Sequence, residues 1–148
     1  MPSLFQAETR DAFYRRFERL RPDAPPRFGQ LSAPAMVSHL IDTLRLTIGE
    51  LPAEPVVSAF RLPGVKHAVI GFLPWPKGRI VGPSEAFSST PGAWERDLAL
   101  HRELLERFAQ CVTRDEWPPH PMFGAMSRRQ WDRFTYRHLD HHLGQFGV

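Results

Sequence analysis

Cysteine is nearly absent: Cys111 stands alone in 148 residues. A single thiol excludes an internal disulfide and any multi-cysteine zinc site. Lysine is almost as scarce, with Lys66 and Lys77 its only occurrences. Arginine carries the rest of the positive charge, and the formal net charge is only +3. Acidic and basic residues interleave along most of the chain, the pattern of solvated helix surface. The one basic stripe is Arg128, Arg129, Arg133 and Arg137, and no nucleic-acid partner is expected. Long apolar runs are missing too. The most apolar stretch, Ala68 to Phe72, is broken by Pro74 and Pro76. It falls far short of the roughly 18 to 20 residues of a membrane span, so no membrane partner is expected either. Met1 to Gln6 shows no basic segment followed by an apolar run, so no signal peptide is expected and the default location is cytoplasmic. The His-Glu-x-x-His, Gly-x-Ser-x-Gly and phosphate-cradling glycine patterns are absent as well.

What is present suits a globular chain. The sequence is 42% hydrophobic, 11% aromatic and 24% charged. At this length a single domain over residues 1–148 can bury a core without covalent staples. Four segments carry helical periodicity. The first runs from about Glu8 to Arg21, with Phe13, Phe17 and Leu20 on one face and Pro22 beyond its end. The second runs from Ala33 to Ile48, with Ser32 as N-cap, Pro34 in the first turn and Gly49 after it. The third is expected from Pro91 to Thr113, capped by Thr90, with Leu98, His101, Leu105, Phe108 and Val112 at heptad-like spacing. The fourth runs from Arg128 to Gln145. Ser127 and Gln130 form a capping box there, and Met126 and Trp131 a hydrophobic staple. Between the second and third lies a long Pro/Gly-rich connection, Leu51 to Ser89. It has room for a short helix near Ser58 to Phe72, and its block Leu73 to Gly78 is too proline-rich for regular structure. Short links on either side of one long crossover suit an all-α four-helix bundle.

The histidines stand out. His138-Leu139-Asp140-His141-His142 lies near the C-terminus. At about 100° per residue from Trp131, His142 falls at about 20° and His138 at about 340°, inside the apolar face. His141 falls at about 280°, at its border. An unpaired imidazole in an apolar core costs about 1–3 kcal/mol. Two rings four residues apart can instead share a cation, or each can find a hydrogen-bond partner on another helix or in buried water. A third ligand has two candidates, His39 on the second helix and His101 on the third. His67 and His120 lie in loop-like sequence and read as surface residues. Cys111 reads as a small packing residue.

Two blocks carry a family resemblance. One is Phe28-Gly29-Gln30-Leu31-Ser32 running into Met36-Val37-Ser38-His39-Leu40. The other is His120-Pro121-Met122-Phe123-Gly124, followed by Trp131 and by His138-Leu139-Asp140-His141-His142-Leu143-Gly144-Gln145-Phe146-Gly147. From about Phe13 to Val148 the chain resembles the DinB/YfiT-like superfamily of bacterial helical proteins. The resemblance implies a four-helix bundle with a long second connection. It also implies a metal triad of one histidine from the second helix and a His-x-x-x-His pair from the fourth, which fall here on His39, His138 and His142. His141 is then an extra histidine, and His101 has no counterpart.

Three neutral imidazoles leave coordination positions open to water or substrate. Such a site suits zinc or nickel, and iron or manganese when waters complete the shell. Members of the superfamily include metal-dependent transferases and isomerases that use low-molecular-weight thiols, and some hydrolases. The resemblance therefore permits activation of a thiol or water, and His101 and His141 are, beside it, candidate proton acceptors. Two other readings stay open: a metal-binding or stress-related bundle without turnover, and a metal-free interaction module. Trp75 and Phe87 are candidate walls of the site or plain packing residues. Homodimerisation through bundle helices is expected by analogy. Because ligand imidazoles must be neutral, protons are expected to compete with a bound metal below a pH of about 6.5.

Overall fold

The structure is a computed structural model that describes residues 2–77 and 82–148. Gly78, the last residue of the expected irregular block, lies outside the described residues. Among those residues the chain is all-helical. Five α-helices run Ala7–Arg19 (α1), Ala33–Ile48 (α2), Pro63–Gly71 (α3), Trp94–Gln110 (α4) and Arg128–Phe146 (α5). Short 3-10 turns occupy Ala59–Arg61, Ser84–Phe87 and Cys111–Thr113. The only extended pairing described is the isolated bridge His120–Gly124. No helix among the described residues is long and apolar enough to cross a membrane.

Local chemistry explains the ends of α2 and α5. The Ser32 hydroxyl accepts from the Ala35 N–H, and Gly49 closes α2 in the left-handed region. At α5 the capping box is complete: Ser127 Oγ accepts from Gln130 N–H at 3.3 Å, and Gln130 Oε1 from Ser127 N–H at 2.8 Å. Met126 and Trp131 are buried in one cluster, as a staple requires. The start of α4 differs from expectation. Thr90 does not cap it and Pro91 is not its first residue; helix begins at Trp94. The Gly92 N–H is taken by Asp97 Oδ2 at 2.7 Å, and the Ser89 N–H by buried Asp42 Oδ2 at 2.8 Å. Those bonds hold the approach to α4 in a non-helical path. At its other end, Cys111–Thr113 tightens into a 3-10 turn instead of continuing the helix.

Helix α2 is buried along nearly its whole length and packs most closely on α4. Phe13 and Phe17 of α1, Met36, Leu40 and Leu44 of α2, Leu105 and Phe108 of α4, and Leu139 and Leu143 of α5 share the main core. A second cluster joins α3 and the link after α4 to the first half of α5 through Ile70, Phe123, Trp131 and Phe134. The basic stripe of α5 is largely used internally. Arg133 donates to the carbonyls of Ile70 and Gly71, and Arg137 to those of Val69, Ile70 and Leu73. Two guanidinium groups thus satisfy the last carbonyls of α3, where the helix dipole favours positive charge. Arg128 donates to Val112 O. The Arg133 and Arg137 bonds tie the middle of the long connection to α5.

The capping box gives the first prediction. Ser127→Ala is expected to lower unfolding free energy by about 1 kcal/mol, read as a lower urea midpoint with unchanged slope. An unchanged midpoint would show that the box does not anchor α5.

Candidate metal centre

Helices α2 and α5 bring three imidazoles together. His39 projects from the middle of α2, and His138 and His142 from one face of α5. All three are buried, at 5%, 8% and 8% exposure. His138 Nε2 lies 3.0 Å from His39 Nε2 and 2.9 Å from His142 Nε2. The three rings can each offer one nitrogen within 4.8 Å of the others. Nitrogens bound to an ion at about 2.0–2.1 Å in tetrahedral geometry sit about 3.4 Å apart, so a small opening of the two short spacings admits a metal.

The outward nitrogens fix the inward ones. His39 Nδ1 lies 2.7 Å from the Ala86 carbonyl oxygen, which can only accept. His142 Nδ1 lies 2.6 Å from Gln145 Oε1, and the Gln145 amide is oriented by donating to Phe28 O at 3.4 Å. Both rings therefore carry their proton on Nδ1 and present a bare Nε2 lone pair inward. His138 Nε2 holds at most one proton, which can bridge only one of its two neighbours. At least one lone pair is left facing nitrogen in a buried space, an arrangement that a cation resolves and a proton does not. Burial also keeps the rings neutral. It pushes His142 down to about 3, with repulsion from a charged His39 adding. It holds His138 well below the usual imidazole range, helped by repulsion from its three neighbouring histidines and from His120. His39 is lowered by the same burial. Protons therefore begin to compete for these nitrogens at a lower pH than the unperturbed value of about 6.5 suggests.

The surroundings hold this geometry. Asp42, one turn beyond His39 and fully buried, accepts from the Ser89 N–H and from the hydroxyls of Ser88 and Ser89. It thereby ties down the 3-10 turn Ser84–Phe87 that supplies the Ala86 carbonyl. From the same turn, the Phe87 ring stacks on His39 with centroids 4.3 Å apart. Gly29 has φ +77°, and a Cβ there would stand 2.5 Å from Gln145 Nε2. Only glycine leaves room for the amide that orients His142.

A cavity of about 330 Å³ opens on the triad. Leu31, Phe60, Trp75, Phe87, Phe123 and Phe134 provide much of its apolar lining. Trp75 and Phe87 are thus cavity walls, supplied by the long connection. His141 is half-buried, lines the cavity, and packs on Phe28 and Trp75. His101 is elsewhere: it is fully buried against Phe17 in the main core, its Nε2 unpartnered among the described residues, and burial pushes it down to about 3. His67 is exposed on α3. His120 overturns the surface expectation. It lies in a loop, yet it is only 6% exposed and lines the same cavity. Its ring is wedged among Phe123, Trp131 and Phe134, a setting that no helical periodicity could announce.

Fold and site together define a helical protein with a buried candidate metal centre facing an aromatic cavity. The chain belongs to the family described as Protein of unknown function (DUF1569), whose model matches residues 3–147. No curated protein and no solved structure matches it.

Two predictions arise here. Gln145→Leu removes the acceptor of His142 and is expected to weaken zinc binding about 10- to 100-fold with helicity retained; undiminished affinity would remove Gln145 from the site. Stability of the metal-free protein should also depend on pH. His101, His120 and His142 are each pushed down to about 3 by burial, against about 6.5 when unfolded. Between those values the unfolded chain binds protons that the folded chain refuses, so stability rises with pH and levels off above about 6.5. Urea midpoints at pH 7.5, 6 and 5 should therefore fall steeply in that order; equal midpoints would mean that these rings are not buried neutral.

Proposed function

We propose that this chain is a divalent-metal protein of DinB/YfiT type. Helices α1, α2, α4 and α5 form its four-helix bundle, with one long crossover between α2 and α4. The carrying observation is the convergence of three buried imidazole nitrogens, two with their lone pairs fixed inward, on an aromatic cavity. A structural zinc site is closed by four protein ligands, whereas three ligands beside a cavity leave a position for a reactant. The donor set suits zinc or nickel, and iron or manganese with waters added.

The activity we assign is metal-dependent thiol transfer or hydrolysis. A divalent ion held there supplies Lewis acidity and lowers the pKa of a coordinated water or thiol. His39, His138 and His142 would hold the ion, with the Nε2 atoms of His39 and His142 free to ligate. The Ala86 carbonyl and the Gln145 amide keep two of those rings in the ligating tautomer. The aromatic walls exclude bulk water from the reacting groups. His141, at the cavity edge, is better placed than His101 to take a proton from the activated group. A low-molecular-weight thiol is the co-substrate of the transferase form, in the cytoplasm, and the bundle faces offer a homodimer contact.

Untagged wild-type protein is expected to carry about one equivalent of a transition metal by plasma mass spectrometry. His39→Ala and His142→Ala should each lose it while keeping helical circular dichroism. Turnover of a thiol with an electrophile, or of an ester or amide with water, should then depend on that metal. Metal retained without turnover across such a panel would leave a non-catalytic metal protein. No metal after incubation with zinc and nickel would leave a packed helical interaction module.

A further inference from the structure

His120 stands outside the triad but faces the same cavity. Its Nδ1 accepts from the Met122 N–H at 3.1 Å and the Phe123 N–H at 3.3 Å. A nitrogen that accepts N–H bonds carries a lone pair, so the neutral ring's proton sits on Nε2. The turn supplying those amides is itself held. His120 and Gly124 exchange backbone bonds of 2.9 and 2.8 Å, and the Pro121 carbonyl accepts from Val56 N–H and Arg61 Nη2. Phe123, Trp131 and Phe134 pack around the ring. Nε2 has no protein partner among the described residues, and it is not among the sealed polar atoms left unsatisfied there. It therefore opens on the cavity that the ring lines. A fixed N–H among aromatic walls is stabilised by an acceptor brought in from outside. Phe134 packs on His120 with centroids 4.7 Å apart and on His138 at 5.4 Å, so donor and triad flank one ring.

We propose that the cavity binds a compact carbonyl compound with an aromatic or aliphatic body, whose oxygen accepts the His120 Nε2–H. His120 is then a positioning and specificity residue that holds the polar end of the bound molecule beside the three imidazoles. This deepens the reading above and rests on it only for where that molecule would meet a metal.

Acetophenone and ethylbenzene are suitable probes, because they differ in little but the carbonyl. Both would be titrated into chelator-treated and zinc-loaded protein, with binding read from amide chemical shifts. In metal-free protein His120→Phe should weaken acetophenone about fivefold while leaving ethylbenzene unchanged or tighter. Long-range nitrogen spectra of the wild type should show His120 as the Nε2–H tautomer, with its Nε2 resonance moving on acetophenone and not on ethylbenzene. These spectra decide the matter if the variant does not fold. An equal loss for both probes, an Nδ1–H tautomer, or no acetophenone binding by the wild type would overturn the proposal. Failure of zinc uptake alone would overturn the metal reading and leave the metal-free result standing.

Discussion

Three imidazole nitrogens meet in a buried space with too few protons to satisfy them, and much of the molecule is arranged around that constraint. Two of the three have no freedom to turn away. His39 is held by the Ala86 carbonyl and His142 by Gln145. His138, between them, is stacked on Phe134. Helix α2 is buried almost throughout and α5 over its inward face, so neither can rotate its histidines outward without exposing the core. Burying a polar group without a full set of partners costs free energy, and here three such nitrogens converge on one point. Their convergence beside a cavity is the physical basis for the proposed metal centre.

The elements outside the main core serve the same place. The long connection between α2 and α4 contributes the Ala86 carbonyl, the Phe87 stack and the Trp75 wall. It is fastened along its length, with the Pro121 carbonyl holding Val56 and Arg61 near its start. Asp42 grips Ser88 and Ser89 near its end, and Arg133 and Arg137 grip the C-terminus of α3 in its middle. Before α2, Gly29 makes room for the amide of Gln145. After α4, the turn from His120 to Gly124 closes another side of the cavity. The polar groups of this cavity thus come from five stretches of chain far apart in sequence.

That dispersal explains what could be read in advance. Regular periodicity and caps marked α1, α2 and α5 to within a residue or two, because local side chains decide them. The wheel of α5 put His138 and His142 on the buried face and His141 at its border, where the structure has them. His39 was one of two candidates by pattern, and only family resemblance separated it from His101. Tertiary bonds were invisible. The start of α4 moved to Trp94 because Asp42 and Asp97 take the backbone amides before it. His120 reads as a surface residue because a proline-flanked loop carries no signal of burial. The roles of Gln145 and Gly29 exist only across the space between them.

X-ray absorption at the zinc edge of the loaded, untagged protein tests the three-imidazole centre at its ligands. Three imidazole nitrogens at about 2.0–2.1 Å, with the outer-ring scattering typical of histidine and a light atom completing the shell, are the expected result. A sulfur neighbour, or oxygen neighbours without imidazole scattering, would place the metal elsewhere and contradict the site built here.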